Sequence, residues 1–301
     1  MKPRLLVIVG PTAAGKSELA VKLARRFNGQ IISADSRQIY RGLEIGSGKI
    51  LKREIRGIPH HLLGIADPRR PFTVVEFQRL ARQKILDIAG RNKLPILVGG
   101  TGFWIDAVVF GLRLPPVPPN RTLRERLSKK SPKELLVILK HLDPERAKTV
   151  EKENPRRLIR AIEIAKVIGR TPKIVRRKPY HAFWIGIAPA KEKLEKAIKR
   201  RVTAMLSRGL PVRQAGLVRE IKNLLKRGLT KKRIRELGFE YQASLEYLEG
   251  KIGRNALQAK LIRDSLGYAR RQMAWFRRNK HIRWVNTAGE AERLTKQFLR
   301  P

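Results

Sequence analysis

The chain has 301 residues, of which 42% are hydrophobic, so it is long enough for one large domain or two smaller ones with a packed core. It contains no cysteine, which excludes disulfides, thiolate metal sites and a cysteine nucleophile. Lysine and arginine number 68 against 25 aspartates and glutamates, and the formal net charge of +43 indicates a polyanionic partner such as a nucleic acid.

Two simpler explanations of this charge are a general Lys/Arg-rich composition and a ribosome-associated role. No apolar run is long enough to span a membrane, and no signal-peptide pattern is present. We therefore expect a cytoplasmic protein without a membrane partner.

The first predicted element is a strand, Leu5 to Val9, followed by a glycine-containing loop and a helix from Glu18 to Phe27. The loop has the pattern of a phosphate-binding P-loop and consists of Gly10, Pro11, Thr12, Ala13, Ala14, Gly15, Lys16 and Ser17. Its amides and the helix N-terminus concentrate positive potential, Lys16 adds a charge for a phosphate, and the Ser17 hydroxyl is a ligand for Mg²⁺. The loop predicts a phosphate group here but not whether that group is transferred, cleaved or expelled.

A second predicted strand, residues 30–34, ends at Asp35. A carboxylate at this position can bind Mg²⁺ or act as a general base. Its alternative role is to cap a turn.

A capping-box pattern at Thr73 predicts a helix that continues to Ala89. A strand over residues 94–98 then leads into a second glycine-rich turn, residues 99–102, and a helix over residues 103–110. Thr101 in this turn offers a hydroxyl to a second ligand group, unless the turn serves only to connect strand and helix.

Apolar strands that alternate with helices predict an α/β fold, with a P-loop NTPase-like parallel sheet flanked by helices. Ligands of such sheets bind at the carboxyl ends of the strands. The P-loop, Asp35 and Thr101 follow three different strands, so we expect them to form one site.

The proline-rich segment 114–119 predicts a stiff linker, and a capping box at Ser131 begins a series of helical patterns. The apolar run 183–188 reads as a strand that returns to the sheet, and basic helices follow from Lys191. We therefore expect a first part of a P-loop core at 1–118, an all-helical insertion at 119–182, and the core completion with basic C-terminal helices at 183–301.

Two aromatic or imidazole pairs are candidates of lower rank. His60 and His61 lack the further ligands that a metal site needs, so a structural role is favoured. Trp275 and Phe276 could stack on bases, but they lie on or near a helical core stripe, and packing is favoured for them.

Several motifs, in order along nearly the whole chain, resemble those of the bacterial tRNA dimethylallyltransferases. They are the P-loop, then Ser33 to Tyr40, Pro59 to Leu62, Val98 to Gly102, Asn154 to Ala161, and Tyr268 to Phe276. The Asp-Ser-Arg-Gln-Ile-Tyr sequence at 35–40 is much more specific than the P-loop.

The resemblance implies transfer of the dimethylallyl group from dimethylallyl diphosphate to the N6 amine of the adenine on the 3′ side of the anticodon. It implies that the P-loop, with Mg²⁺ as cofactor, holds the diphosphate leaving group. Asp35 matches the family's base, Thr101 matches a threonine near the reacting groups, and Lys16 matches the residue that stabilises the leaving group. It also implies that the core at 1–118 is catalytic, that the insertion at 119–182 binds tRNA, and that the partner is a tRNA anticodon stem-loop, and a monomer is expected.

The tRNA-contacting positions carried over from the family are Asp35, Ser36, Arg37, Gln38, Thr101, Arg124, Arg156, Arg157, Leu158, Ile159 and Arg160. The chain departs from the family pattern at Gly46 to Ile50, at Phe103-Trp104 and at Gly238 to Tyr241, where a Gly-Tyr pair is usually followed by a basic or amide residue. The last departure puts the details of tRNA contact near residues 235–241 in question.

Three other functions remain open from the residues alone. A small-molecule or nucleotide kinase shares the P-loop, for which ATP or GTP is the default ligand, but has no need of so much positive charge. An adenylate prenyltransferase would share the core without a basic C-terminal half, and a non-catalytic RNA-binding protein would not need Asp35.

Overall fold

The computed structural model describes residues 2–172, 175–207 and 216–300. The three domain segments predicted from the sequence include positions 1, 173–174, 208–215 and 301, which lie outside the described residues. The described chain forms two compact units, one of residues 1–111 with 178–301 and one of residues 112–177.

The first unit is built on a six-stranded, fully parallel sheet among the described residues. Its strands are β1 (Arg4–Val9), β2 (Gly29–Ser33), β3 (His60–His61), β4 (Leu94–Gly99), β5 (His181–Ile187) and β6 (Ile282–Val285). They lie in the order β3-β2-β4-β1-β5-β6. The predicted α/β fold class with a parallel sheet is confirmed.

Helices cover both faces of this sheet. They are α1 (Lys16–Arg26), α2 (Lys52–Ile55), α3 (Val74–Gly90), α4 (Gly102–Val109), α9 (Lys191–Leu206), α10 (Gly216–Lys226), α11 (Lys231–Glu236), α12 (Phe239–Leu248), α13 (Arg254–Phe276) and α14 (Ala288–Leu299). Alternate residues of β1 serve opposite faces: Leu5 and Val7 join the core under α3 and α13, whereas Leu6 and Ile8 pack with α1. The buried strands are therefore apolar on both sides, which is why they read as continuous hydrophobic runs.

Local sequence signals explain where several helices begin. Thr73 and Glu76 form the predicted capping box at the start of α3, with the Thr73 hydroxyl accepting from the Glu76 amide at 3.2 Å.

Trp275 packs against the core, and its indole donates to Asp106 at 3.0 Å. Together with Phe276, which is 2% exposed, it has the packing role that was favoured.

The second unit is helical and consists of α5 (Arg121–Leu127), α6 (Pro132–Leu142), α7 (Pro144–Thr149) and α8 (Pro155–Ile168). Its core contains Leu135, Leu139, Leu158 and Ile162. Ser131 caps α6 in a capping box with Pro132 in the first turn, as predicted.

The unit boundaries differ from those expected, which lay at 118/119 and 182/183. The proline-rich segment belongs to the helical unit because Val117 is buried and its carbonyl accepts from Arg160 at 2.8 Å. Strand β5 begins at His181 rather than Phe183, since His181 pairs with Arg4 of β1 although its side chain is exposed. Within the described residues, none of the helices is long and apolar enough to cross a membrane.

Candidate active site

The three loops predicted to form a site follow three neighbouring strands. The P-loop follows β1, Asp35 follows β2 and Thr101 follows β4, which lies between the other two. The Thr101 amide donates to the Ala34 carbonyl at 3.3 Å, so the loop that carries Thr101 directly contacts the end of the segment that leads to Asp35. Because all strands are parallel, the three loops lie at the same edge of the sheet.

The P-loop wraps around its own lysine. Gly15 has a left-handed backbone (φ 84°) immediately before α1 begins at Lys16. The Lys16 Nζ donates to the Pro11 carbonyl at 2.5 Å, while the Ser17 side chain at the next position is exposed. This is the geometry of an anion-binding loop with its cation folded inward.

The charge on Lys16 is poorly solvated. Burial is the main cause that lowers the pKa of its ammonium group to about 8; the carboxylate of Asp35 opposes this shift, and nearby Arg201 adds to it. A bound anion would favour the charged form. The site is therefore suited to a ligand that brings negative charge.

Asp35 caps a turn with one of its two carboxylate oxygens. Its Oδ1 accepts from the amides of Arg37 at 2.8 Å and Gln38 at 3.3 Å. Among the described residues, Oδ2 accepts no hydrogen bond. The capping role and a proton-accepting role are thus compatible, because each uses a different oxygen.

Thr101 holds the loop that carries Asp35. Its Oγ1 accepts from the Ser36 amide at 3.1 Å and donates to the Ser36 hydroxyl at 3.4 Å, and it lies near the Tyr268 phenol. Burial, together with the charges of Asp35 and Glu240, raises the pKa of Tyr268 above its ordinary value, so the phenol stays protonated. Tyr268 belongs to a motif noted in the sequence, but nothing there assigned it to this contact.

Gln272 joins the P-loop to the glycine-rich turn. This side chain is 5% exposed, accepts from the Thr12 amide at 2.7 Å and donates to the Gly100 carbonyl at 2.9 Å. A Cβ on Gly100 would collide with the Gln272 amide, and one on Gly102 would collide with the Trp275 ring. The glycines of this turn are therefore required by the close approach of α13.

Arg201 of α9 is a functional candidate that sequence reasoning missed. Its Nη1 donates to the Thr12 Oγ1 at 2.7 Å and its Nη2 to the Ser47 carbonyl at 3.3 Å. The guanidinium thus lies against the P-loop. In the sequence it was one of many basic residues of a helical segment, and no local pattern distinguished it.

A second missed residue, Glu240, lies near the start of α12. Burial is the main cause that raises the pKa of its carboxyl to about 7; Arg201 and Arg37 oppose this rise, and Asp35 adds to it. These influences place Glu240 in the same group of charges as Asp35 and Arg201.

The segment after Asp35 is anchored at each residue. The Arg37 guanidinium donates to the Glu236 carbonyl at 3.3 Å, and the side-chain amide of Gln38 donates to the Gly48 carbonyl at 3.3 Å. Ser36, Arg37 and Gln38 are half-buried. They are held in a defined geometry, and their proposed contacts to a target base remain a prediction.

His60 and His61 lie in strand β3 rather than in the group of charged residues described above. The His61 ring bonds the Gln30 side chain at 2.8 Å, and the His60 ring bonds the Ile58 carbonyl at 2.8 Å. Burial lowers the pKa of both imidazoles below the ordinary value. Both rings have partners of the kind that a structural role requires.

In the helical unit, two of the predicted tRNA-contacting arginines bind a buried carboxylate. Arg124 and Arg160 pair with Glu163 at 2.6 and 3.0 Å, and the Asn120 amide donates to the same carboxylate at 2.8 Å. Burial opposes ionisation of Glu163, but these hydrogen bonds outweigh it and hold its pKa below the usual value.

The neighbouring predicted positions differ in exposure. Arg156 is exposed, and Arg157 is exposed and pairs with Glu151 at 2.9 Å. Leu158 and Ile159 are 0% and 9% exposed and belong to the core of the helical unit. Because both side chains are buried, any contact of these two residues with tRNA would have to use their backbone, and their predicted role stays a prediction.

Comparison with known families agrees with this geometry. The model of the IPP transferase family matches residues 38–279, and that of the isopentenyl transferase family matches residues 3–64. The tRNA dimethylallyltransferase of Anoxybacillus flavithermus is 38% identical over 99% of this chain and 96% of its own length.

Solved structures are similar over the same extent. The tRNA isopentenylpyrophosphate transferase of Bacillus halodurans has a TM-score of 0.73 and 35% identity, covering 99% of this chain and 97% of its own. A eukaryotic dimethylallyltransferase acting on tRNA has a TM-score of 0.79 at 24% identity, covering 99% and 80%, and shows the fold alone. On the family model and the relative identical at 38%, the chain belongs to the IPP transferase family, that of the tRNA dimethylallyltransferases.

Proposed function

We propose that this prenyltransferase moves a dimethylallyl group from dimethylallyl diphosphate to the exocyclic amine of the adenine on the 3′ side of a tRNA anticodon. The observation that carries the proposal is the meeting of the P-loop, Asp35 and Thr101 at three neighbouring strand ends, with Arg201 against the P-loop. An anion-binding loop and a carboxylate then flank one place where an alkyl diphosphate and an amine can react.

The P-loop, Lys16 and Arg201 hold the diphosphate in this proposal. The amine attacks the first carbon of the dimethylallyl group, the carbon–oxygen bond to the diphosphate breaks, and diphosphate leaves with the bonding electrons. The cations of Lys16 and Arg201 and the amides of the P-loop would stabilise the charge that grows on that oxygen. No phosphoryl group is transferred.

The residues present also fit a Mg²⁺ ion bound together with the diphosphate. Ser17 offers an exposed hydroxyl next to Lys16, and no cluster of three or more histidine or carboxylate ligands occurs among the described residues. Ser17 would therefore hold the ion, with the remaining ligands coming from phosphate and water, as is usual for Mg²⁺. When bound, the ion would neutralise part of the diphosphate charge.

Asp35 is the general base of the proposed reaction. The adenine amine is a weak nucleophile because its lone pair is delocalised into the ring, so removal of its proton assists the attack. The Asp35 Oδ2 is available for that proton while Oδ1 keeps the turn in place. Thr101 acts as a positioning residue because its Oγ1 bonds both the amide and the hydroxyl of Ser36, in the loop that carries Asp35.

The tRNA substrate is supported by charge. A net charge of +43 suits binding to a phosphate backbone, with affinity that falls as salt rises. Exposed Arg156 is the clearest candidate in the helical unit for a phosphate contact. The target adenine would leave its stack to reach the site, which an anticodon loop allows at low cost.

A comparison of acceptors tests this function. The protein is incubated with labelled dimethylallyl diphosphate, Mg²⁺ and either a tRNA anticodon stem-loop containing the target adenine or AMP. We expect label in the stem-loop alone. Label in AMP alone would indicate an adenylate prenyltransferase, and label in neither would overturn the proposal.

The monomeric state and the cytoplasmic location remain predictions. A tRNA substrate would be met in the cytoplasm. Sedimentation equilibrium of the full chain, with and without tRNA, measures the oligomeric state.

A further inference from the structure

One buried carboxylate outside the reaction proposed above binds a turn of the backbone next to the site. Glu220 of α10 is 7% exposed, and its Oε2 accepts from the amides of Glu44 at 2.8 Å and Ile45 at 2.6 Å. Its Oε1 accepts from the Gly46 amide at 3.1 Å and from the Tyr241 phenol at 2.8 Å. Three successive backbone amides thus converge on one carboxylate, which fixes the course of this backbone.

The backbone directly after these amides holds two side chains of the candidate site. The Ser47 carbonyl accepts from the Arg201 Nη2 at 3.3 Å, and the Gly48 carbonyl accepts from the side-chain amide of Gln38 at 3.3 Å. The Nη1 of the same arginine donates to the Thr12 Oγ1 of the P-loop at 2.7 Å. Residues 44–48, the 44–48 segment, therefore connect the buried carboxylate to the guanidinium that lies against the P-loop.

Two glycines of the 44–48 segment show how closely other side chains approach it. Gly48 has a left-handed backbone (φ 60°), and a Cβ there would collide with the Arg201 guanidinium, 2.7 Å from its Cζ. A Cβ on Gly46 would lie 2.6 Å from the Tyr241 ring. Two of the stretches at which the chain departs from the family pattern, 46–50 and 238–241, thus meet at this point.

We propose that Glu220 is a positioning residue for diphosphate binding: by fixing the 44–48 segment it places the Ser47 carbonyl, and through that carbonyl it holds the Arg201 guanidinium against the P-loop. A guanidinium that is already in place loses little conformational freedom when a phosphate binds, which favours binding. This inference deepens the proposed function and rests on it, since it assumes that the P-loop and Arg201 bind a diphosphate.

Replacement of Glu220 by glutamine keeps the size of the side chain but turns one acceptor into a donor. Each carboxylate oxygen accepts a hydrogen bond from at least one backbone amide, so the new NH2 group meets a backbone donor whichever way it is turned. We expect the 44–48 segment to shift and Arg201 to lose its fixed position.

The test measures binding of inorganic pyrophosphate to the full-length protein, with Mg²⁺ present, by isothermal titration calorimetry. Wild type, Glu220→Gln, Arg201→Met and the double variant form a double-mutant cycle. The matched control is Glu163→Gln, which alters another buried carboxylate with three hydrogen-bond partners but lies in the helical unit.

We expect Glu220→Gln and Arg201→Met each to weaken pyrophosphate binding about tenfold, because each removes a charge-assisted contact to phosphate. In the Arg201→Met background, Glu220→Gln should add less than about twofold, since no guanidinium is left to position. Glu163→Gln should bind pyrophosphate like the wild type. A purely structural role of Glu220 would instead weaken binding by the same factor in both backgrounds.

Equal affinities of wild type and Glu220→Gln, or equal losses with and without Arg201, would overturn the inference while leaving the phosphate site intact. Wild-type affinity of Arg201→Met would overturn it as well, because the positioned group would then not bind the ligand. Absence of pyrophosphate binding by the wild type would overturn the phosphate site itself and the inference with it.

If Glu220→Gln does not fold, as judged by its thermal unfolding, Gly48→Ala tests the same connection from the other side. Its Cβ needs the space of the Arg201 guanidinium, so pyrophosphate binding should weaken several-fold in the wild-type background and hardly at all in the Arg201→Met background. The control is Gly57→Ala, at a left-handed glycine (φ 77°) with open space around its Cβ position. Unchanged affinity of Gly48→Ala would overturn the inference, because the position of Arg201 would then not depend on the 44–48 segment.

Discussion

Replacement of Gln272 by methionine should separate the two glycine-containing loops of the site. Methionine is close to glutamine in size and removes both of its hydrogen bonds, one to the Thr12 amide at 2.7 Å and one to the Gly100 carbonyl at 2.9 Å. Since Gln272 is 5% exposed, water cannot readily replace either bond. The variant thus leaves two backbone groups without a partner but creates little empty space.

The expected cost follows from those two groups. Each buried donor or acceptor that loses its partner costs about 1–3 kcal/mol, so the loss of two should lower the free energy of unfolding of Gln272→Met by about 2–6 kcal/mol. The P-loop would also lose its register with the turn that carries Thr101. A misplacement of this kind should lower kcat/KM for prenyl transfer by roughly 10- to 100-fold.

Urea unfolding and steady-state kinetics measure the two effects. The matched control is Gln258→Met on the same helix, where the amide donates to Thr203 at 3.4 Å near the surface; its loss should stay below about 0.5 kcal/mol. An unfolding free energy of Gln272→Met within about 0.5 kcal/mol of wild type would refute the reasoning, because the bridge would then contribute nothing to the fold.

Asp35→Asn should keep tRNA affinity, measured by filter binding, while transfer falls roughly 10²- to 10⁴-fold; retained transfer would remove Asp35 as the base. The pKa of Lys16 is about 8 in the folded protein, against an ordinary value of 10.5, so the unfolded chain binds more protons between these pH values. The contribution of Lys16 to the free energy of unfolding therefore rises with pH over that window. Lys16→Met should abolish this rise, as measured by urea unfolding at pH 8 and pH 10. An equal change in unfolding free energy between the two pH values in wild type and variant would contradict the shift. Glu163→Gln should destabilise the helical unit by about 2–4 kcal/mol, since Arg124 and Arg160 lose a buried partner, whereas exposed Glu153→Gln should leave thermal unfolding unchanged. Equal effects of these two substitutions would show that the ion pairs do not stabilise the unit.

The central sheet and the meeting of the three loops could be predicted from local patterns. Strands β1, β2 and β4 are buried on both faces and therefore appear as apolar runs, and a parallel sheet brings their carboxyl ends together. Asp35 and Thr101 follow such runs directly, so their proximity needed only the topology.

The side chains that complete the site come from helices far along the chain. Arg201 lies 189 residues after Thr12, and Gln272 lies 260 residues after it. Their side chains reach the P-loop through tertiary packing, which no local spacing encodes. Among 68 basic residues, charge alone gave no reason to select Arg201.

Two further features of the structure were not predicted from the sequence, because they too depend on contacts between distant residues. Strands β3 and β6 contain two and four residues and are defined by pairing with a neighbour more than by their own hydrophobicity. In the helical unit, Glu163 is the acidic residue that holds Arg124 and Arg160, and a basic run in a sequence does not reveal such a partner.

The measurement that tests the account most directly follows both parts of the substrate at once. Dimethylallyl diphosphate labelled with one isotope in its carbon chain and another in its phosphates is incubated with the protein, Mg²⁺ and an unmodified anticodon stem-loop. The account predicts that the carbon label enters the RNA while an equal amount of phosphorus label is released as pyrophosphate. Phosphorus label in the RNA, or release of pyrophosphate without carbon transfer, would contradict the claim that the P-loop retains a departing diphosphate.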